Sequence, residues 1–266
     1  MTDQTVTFRV RRHQPGQEDA WQEYPVAVHP GMTVLDGLQQ IKEQQDSSLA
    51  WRHSCRMGIC GSCGMVINGQ PGLACNTQVL DISDRRISLE PLSNFPVARD
   101  LVPDLEPMFD KHRSIKPFLI AGQQDGDEPL RQSPRQLTDY LQFSYCIKCG
   151  ACMAACPTLA SDADFLGPMP LTAAHRYNRD SRDDGFDQRK QSLGDHHSIS
   201  HCHYAAECSK VCPKGVDPAK AIQYLKRDLV LDLVGLRRRP GPVPQGSPGT
   251  PRDDIPKAPE FTVKKP

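Results

Sequence analysis

Aromatic residues make up only 6% of this 266-residue chain, and two of them are tryptophans. A core poor in large rings has to find part of its stability elsewhere. Charge of one sign is missing as well: Lys plus Arg and Asp plus Glu both number 32, so the formal net charge is zero. That excludes the basic footprint of a nucleic-acid binder. No apolar run approaches the roughly 18 residues of a membrane span, and Met1 to Val10 holds no apolar signal stretch. There is no glycine-rich strand-to-helix fingerprint for a dinucleotide and no catalytic triad order. The length points to one or two domains, and the missing span to a soluble or peripheral protein.

What the chain does have is cysteine. Eleven fall into three clumps and none lies outside them: Cys55, Cys60, Cys63 and Cys75; Cys146, Cys149, Cys152 and Cys156; then Cys202, Cys208 and Cys212. The first set has the Cys-x4-Cys-x2-Cys…Cys layout of a two-iron cluster loop, and the others resemble the paired runs of a two-cluster bacterial ferredoxin. In such runs three thiolates hold one cluster and the fourth crosses to the other. Cys146, Cys149, Cys152 and Cys212 then make four ligands for a [4Fe-4S] cubane. The second run should read Cys202, position 205, Cys208, with Cys156 returned from the first. Position 205 is Ala205, which has no donor atom. Three ligands favour a [3Fe-4S] centre, the alternative being a four-iron cluster with water or a nearby side chain at the open corner. Ligation of thiolates to iron couples to folding, which offsets the shortage of aromatics.

Two other uses of cysteine compete. Disulfides suit small secreted domains, against an odd cysteine count and no signal stretch. Zinc can use Cys-x2-Cys pairs, with His196, His197, His201 and His203 as further donors, but does not explain two runs that end in Cys-Pro. Clusters built on free thiolates favour a reducing, cytoplasmic compartment.

Val6 to Val10 and Tyr24 to Val28 read as strands around a Pro15-Gly16 turn. Thr33 reads as the N-cap of a helix whose Val34, Leu35, Leu38 and Ile41 share a face. Met65 to Ile67 with Asn68-Gly69 reads as strand and tight turn, and Ile87 to Leu89 as another strand. Gly58, Gly61 and Gly64 let the cysteine loop curl until its amides face sulfur. The fold class is therefore α+β: a β-grasp [2Fe-2S] ferredoxin domain over 1–102, then a connector over 103–137. That connector carries one short helix near Leu105 to Ile115 and a polar stretch from Gln123 to Pro129. An all-α two-cluster ferredoxin domain spans 138–236, with helical pattern over Leu141 to Ala155, Leu171 to Tyr177 and Ala219 to Leu236. Arg237, Arg238 and Arg239 are read as closing the last helix against its dipole, with anionic lipid contact as the alternative. The tail over 237–266 carries eight prolines and is expected to be disordered or draped on a partner.

The blocks "SCRMGICGSCGMVING" at Ser54 to Gly69, "LAC" at Leu73 to Cys75, "SIKPFL" at Ser114 to Leu119, "CIKCGACMAACP" at Cys146 to Pro157, "DSRD" at Asp180 to Asp183 and "CPKGVDP" at Cys212 to Pro218 carry a resemblance. In content and order they resemble the iron-sulfur subunits of succinate dehydrogenase and fumarate reductase, over roughly Thr5 to Leu236. The family also lacks a cysteine where Ala205 stands. The resemblance implies an oxidoreductase subunit that passes single electrons through [2Fe-2S], [4Fe-4S] and [3Fe-4S] centres. The donor would be FAD on a flavoprotein partner and the acceptor a membrane quinone. It further implies one or two membrane-anchor subunits, with or without haem b, and a peripheral place on the cytoplasmic face of the membrane.

Pro157 and His203 match positions that line the family's quinone pocket; His203 reads equally as a hydrogen-bond donor to cluster sulfide. The tryptophan that many members place just after this Cys-Pro is replaced by the run Thr158, Leu159, Ala160, Ser161, which opens the choice of quinone contact or acceptor. Lys210 and Lys214 read as tuning cluster potential or as merely solvated. The first strand starts almost at Met1, which leaves no room for an Arg-rich transit peptide and favours a bacterial or archaeal source. Rival functions are a free-standing carrier, against which the zero net charge stands, and a purely structural cluster protein. A thiol-dependent fumarate reductase is the enzymatic rival, lacking here its extra cysteine-rich domain.

Overall fold

The computed structural model describes residues 4–82, 85–122 and 130–237. Gln123 to Pro129, Arg238, Arg239 and the rest of the proline-rich tail lie outside the described residues.

Alternation builds the first unit. In β1 (Gln4–Arg12) Val6, Phe8 and Val10 point inward, and in β2 (Ala20–Val28) Tyr24, Val26 and Val28 do the same. The two pair antiparallel from Gln4 opposite Val28 to Arg12 opposite Ala20, each longer than its sequence pattern indicated. The helix α1 (Val34–Gln44) starts at a capping box: the Thr33 hydroxyl accepts from the Asp36 amide while the Asp36 carboxylate accepts from the Thr33 amide. Its Val34, Leu35, Leu38 and Ile41 are buried on the sheet.

β3 (Gly64–Ile67) and β4 (Gln70–Leu73) form a hairpin whose two turn residues, Asn68 and Gly69, both take positive φ, the demand of a type I′ turn. β5 (Arg86–Glu90) completes the sheet in the order β2-β1-β5-β3-β4, parallel to β1 and antiparallel to β3. β6 (Val97–Arg99) and β7 (Val102–Pro103) make a small separate ribbon. Between its two strands, Asp100 is fully buried and accepts from Arg12 Nε at 2.9 Å and from the Ala50 amide at 2.9 Å. This carboxylate pins the chain that leads into the first cysteine loop.

The second unit is helical. α2 (Glu106–Ser114) buries Met108, and Ile115 just beyond it is buried too, so part of the segment read as connector joins the helical core. α3 (Pro134–Thr138) and α4 (Leu141–Ser144) follow. The helix expected to run from Leu141 to Ala155 is broken: α4 stops at Ser144 and α5 covers only Ala151–Ala154. Between them Lys148 and Gly150 take left-handed backbone, φ 54° and 84°, which no continuing helix allows. α6 (Pro157–Ser161), α7 (Pro168–Asn178) and α8 (Phe186–Leu193) come next, then the one-turn α9 (Glu207–Lys210) and the long α10 (Pro218–Leu233). α7 and α10 pack together through Met169, Leu171, Ala174, Ile222 and Leu225. Arg237 lies over the Phe186 ring, 3.3 Å from its centroid, beyond the end of α10.

Arg189 shows why the distant blocks "SIKPFL" and "DSRD" belong together. It is fully buried and grips Asp183 through two bonds of 2.6 and 2.9 Å, while donating to the carbonyls of Lys116 and Phe118. A buried charge is tolerated when paired and fully hydrogen-bonded in this way.

Candidate metal centres

The first cysteine loop follows α1 and the turn after it, and enters β-structure at Gly64. Arg56, Gly58 and Gly61 take positive φ, so successive peptide N–H groups turn inward. The Cys55 sulfur accepts from the amides of Met57, Ile59 and Cys60 at 3.5, 3.3 and 3.2 Å. The Cys60 sulfur accepts from Cys55 and Ser62, that of Cys75 from Gly58, and that of Cys63 from Cys75. Sulfur is a weak acceptor, so a ring of amides around four thiols marks a place for negative charge. The Ser62 hydroxyl and amides of Cys55 and Ser62 hold the Cys60 thiol down to about 6, whereas burial pushes Cys63 up to about 12.

Cys146, Cys149, Cys152 and Cys212 line one cavity, together with Met169 and Lys214. Cys156, Cys202 and Cys208 line another, with Pro157, His203 and Ala205. Each set therefore draws cysteines from both runs. The second run repeats the backbone of the first: Tyr204 and Ala206 take positive φ, 59° and 62°, where Lys148 and Gly150 do. Ala205 thus stands where Cys149 stands, with a methyl in place of a thiol. Pro157 and His203 are exposed at the rim of the three-cysteine cavity. Lys210 turns to Glu207 at 2.6 Å, while Lys214 stays at the four-cysteine cavity.

All eleven cysteines are free thiols, which sets the disulfide alternative aside. Burial raises Cys149 and Cys208 to about 11 and pushes Cys152 well above the ordinary thiol value. A bare thiolate is disfavoured in such cavities; bound iron removes that penalty by neutralising it. The donor sets fit iron-sulfur clusters: converging soft thiols with amides aimed at sulfur.

The cradles adjoin one another. A Cβ on Gly61 would lie 2.8 Å from Cys149 Cβ, and one on Gly64 would lie 2.9 Å from the Cys149 carbonyl. Only bare glycine backbone lets the first loop lie this close to the second cavity. Asn94, in the loop after β5, donates through Nδ2 to the carbonyls of Met153, Ala154 and Cys156 at 3.0–3.1 Å. This side chain of the sheet unit caps the short helix α5 that carries Cys152. Sequence reasoning missed Asn94 because its partners lie about sixty residues away, and missed Arg189 because an isolated arginine signals solvent.

Sheet loop and helical cavities together define an iron-sulfur protein. A family model described as a 2Fe-2S iron-sulfur cluster binding domain matches residues 7–110, and one described as a 4Fe-4S dicluster domain matches 142–216. The fumarate reductase iron-sulfur subunit of Mycobacterium tuberculosis is 45% identical over 225 residues, 83% of this chain and 91% of that one. Its counterpart in Haemophilus influenzae is 42% identical over 243 residues, 86% and 94% of the two chains. Among solved structures, a chain of the Mycobacterium smegmatis Sdh1 complex in the apo form superposes with a TM-score of 0.79. It is 26% identical, and the match covers 87% of this chain and 98% of that one.

The chain belongs to the family of iron-sulfur subunits of succinate dehydrogenases and fumarate reductases. It is an electron-transfer subunit with [2Fe-2S] and [4Fe-4S] binding domains. Among the described residues no helix is long and apolar enough to cross a membrane.

Proposed function

We propose that this chain relays single electrons between the FAD of a flavoprotein subunit, which carries the succinate/fumarate chemistry, and a quinone in the membrane. Cys55, Cys60, Cys63 and Cys75 hold a [2Fe-2S] centre. Cys146, Cys149, Cys152 and Cys212 hold a [4Fe-4S] centre, and Cys156, Cys202 and Cys208 a [3Fe-4S] centre. The clusters, when bound, supply one-electron redox steps, which divide the two-electron chemistry of a flavin. The chain's own residues fix the sulfurs, surround them with amides and keep water from the buried cavities. Pro157 and His203, on the open rim of the third cavity, are the quinone-side candidates. One or two anchor subunits, with or without haem b, hold the chain as a peripheral subunit on the cytoplasmic face.

The observation that carries this reading is the contact of Gly61 and Gly64 with Cys149. It sets the first cradle directly against the second, while the second and third exchange Cys156 and Cys212. Three adjoining cradles offer a stepwise path for single electrons. Low-temperature EPR on the anaerobically purified complex tests it. The oxidised sample should show a three-iron signal that disappears on adding succinate, as a two-iron signal appears. If succinate changes nothing while dithionite reveals all clusters, the donor is not a succinate-oxidising flavoprotein.

A further inference from the structure

Next to the third cavity stands a cluster of side chains that the relay does not use. Asp162 follows α6, the short helix that begins just after Cys156. His197 and His201 lie on the turn that leads into Cys202. The same carboxylate oxygen, Asp162 Oδ2, is 2.8 Å from His197 Nδ1 and 2.7 Å from His201 Nδ1. One donor atom from each of the three residues falls within 4.8 Å of the others. Only the His197 contact is aligned as a hydrogen bond. His201 Nδ1 is buried and has no hydrogen-bond partner despite its closeness. A third imidazole, His196, lies 4.9 Å from the His201 ring and 5.1 Å from that of His197, centroid to centroid.

We infer that Asp162, His197 and His201 form a site for a borderline-soft divalent cation of the zinc class, with the His196 ring beside it. Two imidazole nitrogens and one carboxylate oxygen converging on a point are the donor set of a zinc site with one position open. Tetrahedral ligation at about 2.0–2.1 Å spaces ligand atoms about 3.3 Å apart. The present contacts need to open by only about half an ångström to admit the ion. A cation there accepts the lone pair of His201 Nδ1, which the hydrogen-bond network leaves unused. It also ties the segment after Cys156 to the segment before Cys202, two walls of the three-cysteine cavity. The site is built from nitrogen and oxygen, so it is distinct from the thiolate sets, and the inference does not rest on the direction or identity of the electron relay.

The test uses the cluster-loaded protein as purified, with a tag free of histidine, dialysed against micromolar Zn²⁺ and washed. Metal analysis is read beside iron content, and anomalous scattering at the zinc edge locates the ion. The expected result is one zinc per chain, with its peak between Asp162, His197 and His201. Asp162→Asn and His197→Gln should each lower zinc affinity at least tenfold with iron content unchanged, and His196→Ala should lower it less. Zinc binding that is equal in wild type and both variants, or a peak elsewhere, overturns the inference. So does absence of zinc at these concentrations. If a variant loses iron, the wild-type anomalous peak still decides the matter.

Discussion

The two runs of the helical unit are the same device built twice, and they differ at one atom that matters. From Cys146 to Cys152 and from Cys202 to Cys208 the backbone turns left-handed at the same two steps, Lys148 and Gly150 in one, Tyr204 and Ala206 in the other. The first run places the thiol of Cys149 in its cavity; the second places the methyl of Ala205 in its own. Backbone shape therefore survives the loss of a ligand. On the proposed ligand assignment the number of irons is set by a side chain, whereas the shape of the cradle is set by the backbone. The largest expected effects come from exchanging that side chain. Ala205→Cys should convert the third centre to a four-iron cluster, adding one iron per chain and abolishing the three-iron EPR signal. Cys149→Ala should do the reverse to the second, removing an iron and adding a three-iron signal. If Ala205→Cys leaves the EPR spectrum as it was, the thiol at that position does not point at the cluster, and the two runs are less alike than their backbones.

Contact between the units offers the next test. Gly61 has φ 73°, and a Cβ there would meet Cys149 Cβ at 2.8 Å and its Cα at 3.0 Å. Gly61→Ala pays left-handed strain of about 1–2 kcal/mol and overpacking of about 1–3 kcal/mol. The sum, about 2–5 kcal/mol, is large against typical domain stability. Thermal unfolding should show it, and Gly31→Ala, also at positive φ but with open space around it, should cost only the strain. Equal losses in the two variants would mean that the close approach of the cradles contributes nothing.

Acid should separate the two units. Burial pushes His175 down to about 3 and His112 down to about 4, and both lie on helical elements, α7 and α2. Neither ring nitrogen of His175 has a hydrogen-bond partner, and its ring packs edge-on against Phe143. The unfolded chain takes up these protons near the ordinary histidine value of 6.5. Between that value and the depressed folded value the unfolded state binds more protons, so stability falls as pH falls. The slope reaches up to ~1.4 kcal/mol per pH unit for each histidine. In the sheet unit, hydrogen bonds from Ser48, Tyr24 and Arg12 hold Asp46 well below the carboxylate range, so its contribution is lost only at lower pH. Unfolding followed from pH 7 to pH 4 should show the helical unit weakening first. His175→Phe should flatten the slope; an unchanged slope would assign it to other groups.

How much of this was legible in the sequence depends on how local the cause is. The Thr33 N-cap and the Asn68-Gly69 turn are written within a few residues of where they act, and the structure has them as read; the cysteine spacings are equally local, and their thiols converge in the loop and the two cavities. The broken helix after Leu141 was not legible, because Lys148, like Ala206 in the second run, carries no outward mark of left-handed backbone. The cradle imposes it on them. Contacts between residues far apart in the chain were illegible for a different reason. Asn94 capping α5, Arg189 joining Lys116 and Phe118 to Asp183, and Asp162 meeting His197 all depend on tertiary proximity. The histidines near Cys202 were visible as donors, but Asp162 gave no sign that it completed their set.

The smallest effect bears on the pair of runs most directly. Gly150 occupies its left-handed position at no steric cost. Ala206 occupies the equivalent position at φ 62°, where an L-residue pays roughly 1–2 kcal/mol. Ala206→Gly should remove that strain but add conformational entropy to the unfolded chain worth about 0.5–1 kcal/mol. The net gain is then up to about 1.5 kcal/mol, a rise of a few degrees in the melting temperature of the cluster-loaded chain. The three-iron signal should be unchanged, since glycine adds no donor. A fall in stability would show that the Ala206 methyl has contacts outweighing its strain. In that case the second run keeps an alanine at this position because its cavity is packed differently from the first, with one ligand fewer to hold it.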